Sequence, residues 1–162
     1  MRMFTVKDLC DIAIQIERNG EAVYREAGKR ATDTGIADML LQLAEDEARH
    51  AKWFENLAVR VALISDTPQL ESAGRAILQG MMEHQTFSLD KGNLTDAEQI
   101  NEVIAQSILF EEDTILFYEM IGGFIDDETV LSHLETIIVE ERSHVTCLHA
   151  LLPQNLMSQM ES

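Results

Sequence analysis

The sequence predicts an all-α protein, a four-helix bundle made of two helix hairpins. Three observations carry this. Breakers are scarce, with two prolines and eight glycines in 162 residues, while Leu, Ile, Ala, Met and Glu abound. Apolar residues make up 46 % of the chain, enough for a core despite a net charge of −17. They recur at helical spacing in four long stretches separated by turn-forming clusters.

Thr5 opens the first helix, with Asp8 three residues on to complete a capping box. Its apolar stripe runs through Leu9, Ala13, Ile16, Gly20, Val23, Tyr24 and Ala27. The cluster Thr32-Asp33-Thr34-Gly35 ends this helix and begins the next. The second carries Leu40, Leu43, Ala44, Ala51, Phe54, Leu57, Val61 and Ile64, and stops near Ser65-Asp66-Thr67-Pro68. Residues 68 to about 86 read as a shorter helix with Pro68 in its first turn, and Asp90-Lys91-Gly92-Asn93 as a turn. Thr95-Asp96-Ala97-Glu98 is a capping box for the third long helix, which runs through Ile100, Ile104, Ser107, Tyr118 and Ile121. Gly122-Gly123 weakens its end. Asp126-Asp127 caps the fourth, which runs through Leu134, Ile137, Ile138, Val145, Leu148 and Leu152 to Pro153. The expected organisation is one domain over 1–153, with hairpins over about 5–65 and 95–153 joined by a long helical crossover, 66–94. A polar tail, 154–162, follows. Two short connections and one long one are the connectivity of ferritin-like four-helix bundles.

Charged residues interrupt the apolar stripes at mid-helix. Glu17 shares a face with Ala13, Gly20 and Tyr24, and Glu47 and His50 share one with Leu43 and Phe54. Glu111 lies between Ile104 and Tyr118, and Glu141 and His144 between Ile137 and Leu148. Buried carboxylates are costly unless paired or bound to metal. The spacing strengthens the reading. Glu17 precedes Tyr24 by seven residues and Glu47 by thirty, and His50 follows Glu47 by three. Glu111, Tyr118, Glu141 and His144 repeat this set at an offset of 94 residues. Ile14 with Ile108, Leu43 with Ile137 and Leu57 with Leu151 follow the same offset, so the chain is an internal duplication of a helix hairpin. One Glu-x-x-His says little in an acidic helical chain, but two copies with matched upstream glutamates form a constellation.

A two-fold arrangement of the hairpins gathers four carboxylates and two imidazoles. Hard oxygen donors with imidazole suit iron or manganese and leave coordination positions open. Glu47 and Glu141 can bridge two ions while Glu17 and Glu111 cap one each. Two divalent cations would supply +4 against the −4 of the glutamates, which could not all ionise in an apolar core alone.

Through Glu17, Glu47-Ala48-Arg49-His50, Glu111 and Glu141-Arg142-Ser143-His144, the sequence resembles the rubrerythrin-like branch of the ferritin-like superfamily over most of residues 6–152. The resemblance implies a non-haem di-iron centre that reacts with hydrogen peroxide or dioxygen in oxidative-stress defence. It also implies tyrosines beside the ligands, here Tyr24 and Tyr118, which hydrogen-bond a ligand carboxylate or pass an electron. Two positions depart from rubrerythrins proper. Ile108 stands where they carry an extra carboxylate, and no CxxC motif of their rubredoxin-like domain occurs. A reductant must then come from another protein or from ferrous iron itself. The alternative function is iron handling, as a ferroxidase that oxidises Fe(II) without peroxidase turnover. A third reading is a structural helical dimer whose site stabilises the fold.

The remaining expectations concern partners and bystanders. The acidity excludes nucleic acid and anionic membrane surfaces as partners and favours metal cations. No apolar run approaches the roughly 18 residues of a membrane span. Two lone cysteines, Cys10 and Cys147, and charges that interrupt any secretory core point to the cytoplasm, and a homodimer is expected. His84, His133 and His149 read as surface or structural. Glu45, Asp46, Glu112 and Glu140 read as a solvated face beside the ligands. Trp53 and Phe54 read as packing near the site and not as electron carriers, Met81 and Met82 as crossover packing, and Glu21 as an auxiliary ligand candidate whose repeat partner, Ile115, cannot ligate. Gly20 and Thr114, equivalent by the repeat, are small residues that leave room near the cluster.

Overall fold

The computed structural model describes residues 5–62 and 97–153. Among them are four helices: α1 (Val6–Arg30), α2 (Thr34–Ala62), α3 (Ala97–Gly122) and α4 (Glu128–Leu151). The expected crossover, the Thr95–Asp96 cap, His84, Met81, Met82 and the tail lie outside the described residues.

Local chemistry sets the helix ends. Thr5 Oγ1 accepts from Asp8 N at 3.2 Å, and Asp8 Oδ2 accepts from Thr5 N at 2.9 Å. This reciprocal box satisfies donors that the first turn leaves free. Asp33 Oδ1 accepts from Ile36 N at 3.0 Å at the start of α2. Asp127 Oδ1 accepts from both Thr129 N and Val130 N at the start of α4. Lys29 and Arg30 close α1, where cations oppose the helix dipole favourably.

α1 packs along α2 and α3 along α4, and the two hairpins meet through α1 with α3 and α2 with α4. The first hairpin is the closer pair because Gly28 lets the backbones approach; a Cβ there would lie 2.8 Å from Leu41 Cγ. At Gly122, its equivalent by the repeat, the nearest atom would be 3.6 Å away. Apolar residues form two cores. One joins Leu9, Ala13, Phe54, Phe117, Tyr118, Ile121, Leu134 and Ile137 with their neighbours. The other joins Val23, Tyr24, Leu40, Leu43, Ile104, Ile108 and Leu148. They occupy opposite ends of the helices, so the mid-helix glutamates and histidines form a polar layer between two apolar ones. Among the described residues no helix is long and apolar enough to cross a membrane.

Candidate metal centre

Each helix turns one inward residue of its apolar stripe into a carboxylate, and α2 and α4 add an imidazole one turn later. Glu17, Glu47, His50, Glu111, Glu141 and His144 are all at most 3 % exposed. They converge into two groups of four donors, Glu17, Glu47, His50 and Glu141, and Glu47, Glu111, Glu141 and His144. Within each group one ligand atom per residue lies within 4.8 Å of the others. Glu47 and Glu141 belong to both groups, while Glu17 and Glu111 belong to one each.

His50 Nδ1 lies 2.8 Å from Glu141 Oε1 and 3.6 Å from Glu17 Oε2. His144 Nδ1 lies 3.1 Å from Glu47 Oε1 and 3.6 Å from Glu111 Oε1. Beside this short His50–Glu141 approach, Glu17 Oε2, Glu47 Oε1, His50 Nδ1 and Glu141 Oε1 are all buried, and none of them makes a hydrogen bond of ordinary geometry. Those four atoms supply one from every residue of the first group. An orphaned buried polar atom costs about 1–3 kcal/mol, and more when charged, so four in one place ask for a cation. The donor set, carboxylate oxygens with imidazole nitrogens, fits iron or manganese.

The titration behaviour has the same origin. Burial, then the charges of Glu141, Glu17 and Glu111, hold the Glu47 carboxyl well above the usual range. Burial and Glu141 push Glu111 up to about 8, against the opposing pull of His144. For His50, burial disfavours the imidazolium, but Glu141 and Glu17 outweigh it and raise the group to about 11. His144 is raised in the same way by Glu111, Glu141 and Glu47 against burial. Negative charge is in excess here and recruits protons when no cation is bound.

The rubrerythrin family model matches residues 8–152. The chain belongs to the rubrerythrin family. Its fold is similar to that of a protein from Thermotoga maritima whose crystal structure is described as ferritin-like diiron-carboxylate. The two share 20 % identity, with a TM-score of 0.72 over 96 % of this chain and 99 % of that one. Among curated proteins none matches the sequence. This rubrerythrin-family chain thus has the fold of a ferritin-like diiron-carboxylate protein and a carboxylate–histidine cluster capable of binding metal.

Around the cluster of this rubrerythrin domain, support crosses between the repeats. Tyr24 donates its hydroxyl proton to Glu111 at 2.6 Å, and Tyr118 donates to Glu17. These are the chain's only two tyrosines, both fully buried. Burial and the accepting carboxylate, Glu111 or Glu17, raise each phenol well above its ordinary value and keep it a donor. The sequence places each tyrosine on the face of its own repeat's glutamate, but the fold hands it the other repeat's.

Two residues escaped the sequence reading. His50 Nε2 donates to Glu140 Oε2 at 2.5 Å and His144 Nε2 to Asp46 Oδ2 at 3.1 Å. The carboxylates can only accept, so they hold the proton on Nε2 and aim Nδ1 at the cluster. Burial would raise both, but His144 with Arg49 lowers Asp46, and His50 with Arg49 lowers Glu140. The available signal was the repeat itself, for Asp46 and Glu140 are equivalent at the offset of 94. Arg49 joins them, lying 3.0 Å from Asp46 and 3.1 Å from Glu140.

The other candidates fall where bland chemistry puts them. Glu45 and Glu112 are exposed. Glu21 is bound by Arg18 at 2.9 Å and Arg25 at 3.2 Å outside the cluster. Thr114 is buried with its hydroxyl donated to Phe110 O at 2.8 Å. Gly20 is the small residue that matters, because a Cβ there would meet Glu47 Oε2 at 2.8 Å.

Proposed function

We propose that Glu17, Glu47, His50, Glu111, Glu141 and His144 hold two iron ions, and that the protein is an oxidoreductase acting on hydrogen peroxide or dioxygen. The observation that carries this is the pair of buried four-donor groups sharing Glu47 and Glu141. When bound, the two ions supply redox chemistry and open coordination positions for a small oxidant.

The chain's own part is geometric and electrostatic. Glu47 and Glu141, common to both donor groups, would be shared between the two ions, and Glu17 and Glu111 would each serve one. Tyr118 and Tyr24 hold one oxygen of each capping carboxylate, which limits how far it swings. Glu140 and Asp46 fix the imidazole tautomers from outside. The apolar layers above and below keep bulk water out, so charge interactions inside are stronger than at the surface. The surplus surface charge favours the approach of cations.

Stopped-flow oxidation of the Fe(II)-loaded chain by peroxide and by dioxygen, with and without an added reductant, tests the reading. Repeated turnover with peroxide and reductant supports an oxidoreductase. A single burst of iron oxidation followed by release of Fe(III) supports the ferroxidase alternative. Stoichiometric metal uptake that is inert to both oxidants contradicts both.

A further inference from the structure

The two halves of the repeat differ on one side of the cluster. Phe54 lies beside Tyr118 with ring centroids 5.0 Å apart, and Trp53 meets Phe54 edge-on at 4.9 Å. The exposed His133 stacks on the half-buried Trp53 at 4.9 Å, the planes 7° apart. Tyr118 in turn donates to Glu17. Four rings therefore run without interruption from an exposed imidazole to a carboxylate of the cluster. In the other half, the residues equivalent to Trp53 and Phe54 are Cys147 and Leu148. Those residues fill the matching positions without rings, so packing alone does not call for the aromatic column.

We propose that Trp53 is an electron-transfer residue. It lies on the path along which single electrons pass from an external one-electron donor, docked at the exposed Trp53–His133 edge, through Phe54 and Tyr118 to the ion at Glu17. This rests on the iron centre proposed above. In each transfer the external donor is oxidised by one electron and a ferric ion is reduced by one to ferrous; the indole couples the two and ends unchanged, and no bond or proton is exchanged. Two transfers replace the two electrons consumed when hydrogen peroxide and two protons become two waters. A net charge of −17 favours a cationic donor.

Trp53 is the only tryptophan, so its fluorescence lifetime reads the route directly. The full chain is loaded with Fe(III) or with Zn(II), and metal content is measured in every sample. Fe(III) is expected to shorten the lifetime and Zn(II) to leave it long. Phe54→Leu, the residue found at the equivalent position 148, is expected to lose most of the quenching at unchanged iron content, and Phe54→Tyr to retain it. Reduction of the ferric centre by hexaammineruthenium(II) should slow in Phe54→Leu and in Trp53→Leu. Equal lifetimes with Fe(III) and Zn(II), or quenching that Phe54→Leu leaves intact, overturn the proposal while the iron site stands. A folded chain that takes up no iron overturns the functional reading and this one with it.

Discussion

Gly20→Ala should stabilise the metal-free helix and damage the metal site. An alanine Cβ would lie 2.8 Å from Glu47 Oε2, 3.3 Å from Cδ and 3.4 Å from Cγ. Ordinary contact begins near 3.4 Å, so the carboxylate oxygen must retreat by about 0.6 Å. Glu47 is flexible and can retreat in the metal-free protein, where the helix gains about 0.5–1 kcal/mol from losing a glycine. A metal site tolerates ligand displacements of only about 0.2 Å, and Glu47 serves both donor groups. Affinity should therefore fall by roughly 10–100-fold, the range seen when ligand support is disturbed. Anaerobic Fe(II) titration calorimetry reads the affinity, and calorimetric melting of the metal-free protein reads the helix. Wild-type affinity for both ions in Gly20→Ala would refute the assignment of Glu47 as a shared ligand.

Further outcomes follow from the same geometry. Asp46→Asn and Glu140→Gln should each weaken metal binding by roughly 10-fold or more with little effect on melting, since each replaces the anionic acceptor that holds an imidazole tautomer with a neutral amide that can also present its NH2; equal affinity would remove them from the site. Asp127→Ala removes two hydrogen bonds from the start of α4 and should cost about 1 kcal/mol in urea unfolding. Burial pushes the Cys10 thiol up to about 12, so a disulfide reagent at pH 8 should label the half-buried Cys147 and reach Cys10 only on unfolding. With the folded value above the ordinary thiol value of 9.0, this thiol should also withdraw stability as pH rises from 9.0 toward about 12, where only the unfolded state ionises.

The fold and the buried cluster of glutamates and histidines were legible in the sequence for related reasons. A residue that breaks an apolar stripe at the stripe's own period must point inward, and the duplicated spacing made four such breaks coincide. The caps at Thr5 and Asp127 were legible because capping is local. What escaped depends on the meeting of helices distant in sequence. Asp46 precedes Glu47 by one residue and sits a quarter-turn round α2, which reads as a solvated flank. Only the approach of α4 brings His144 to it. The exchange of tyrosine partners between repeats and the column from His133 to Tyr118 likewise depend on how the hairpins register.

The duplicated hairpin builds a site expected to hold two metal ions. Crystals grown from Fe(II)-loaded protein, measured on both sides of the iron absorption edge, test it most directly. Two anomalous peaks per chain are expected, both touching Glu47 and Glu141. One should be flanked by Glu17 and His50, the other by Glu111 and His144. A well-ordered bundle with no peak at that layer, or with iron held elsewhere, would contradict it.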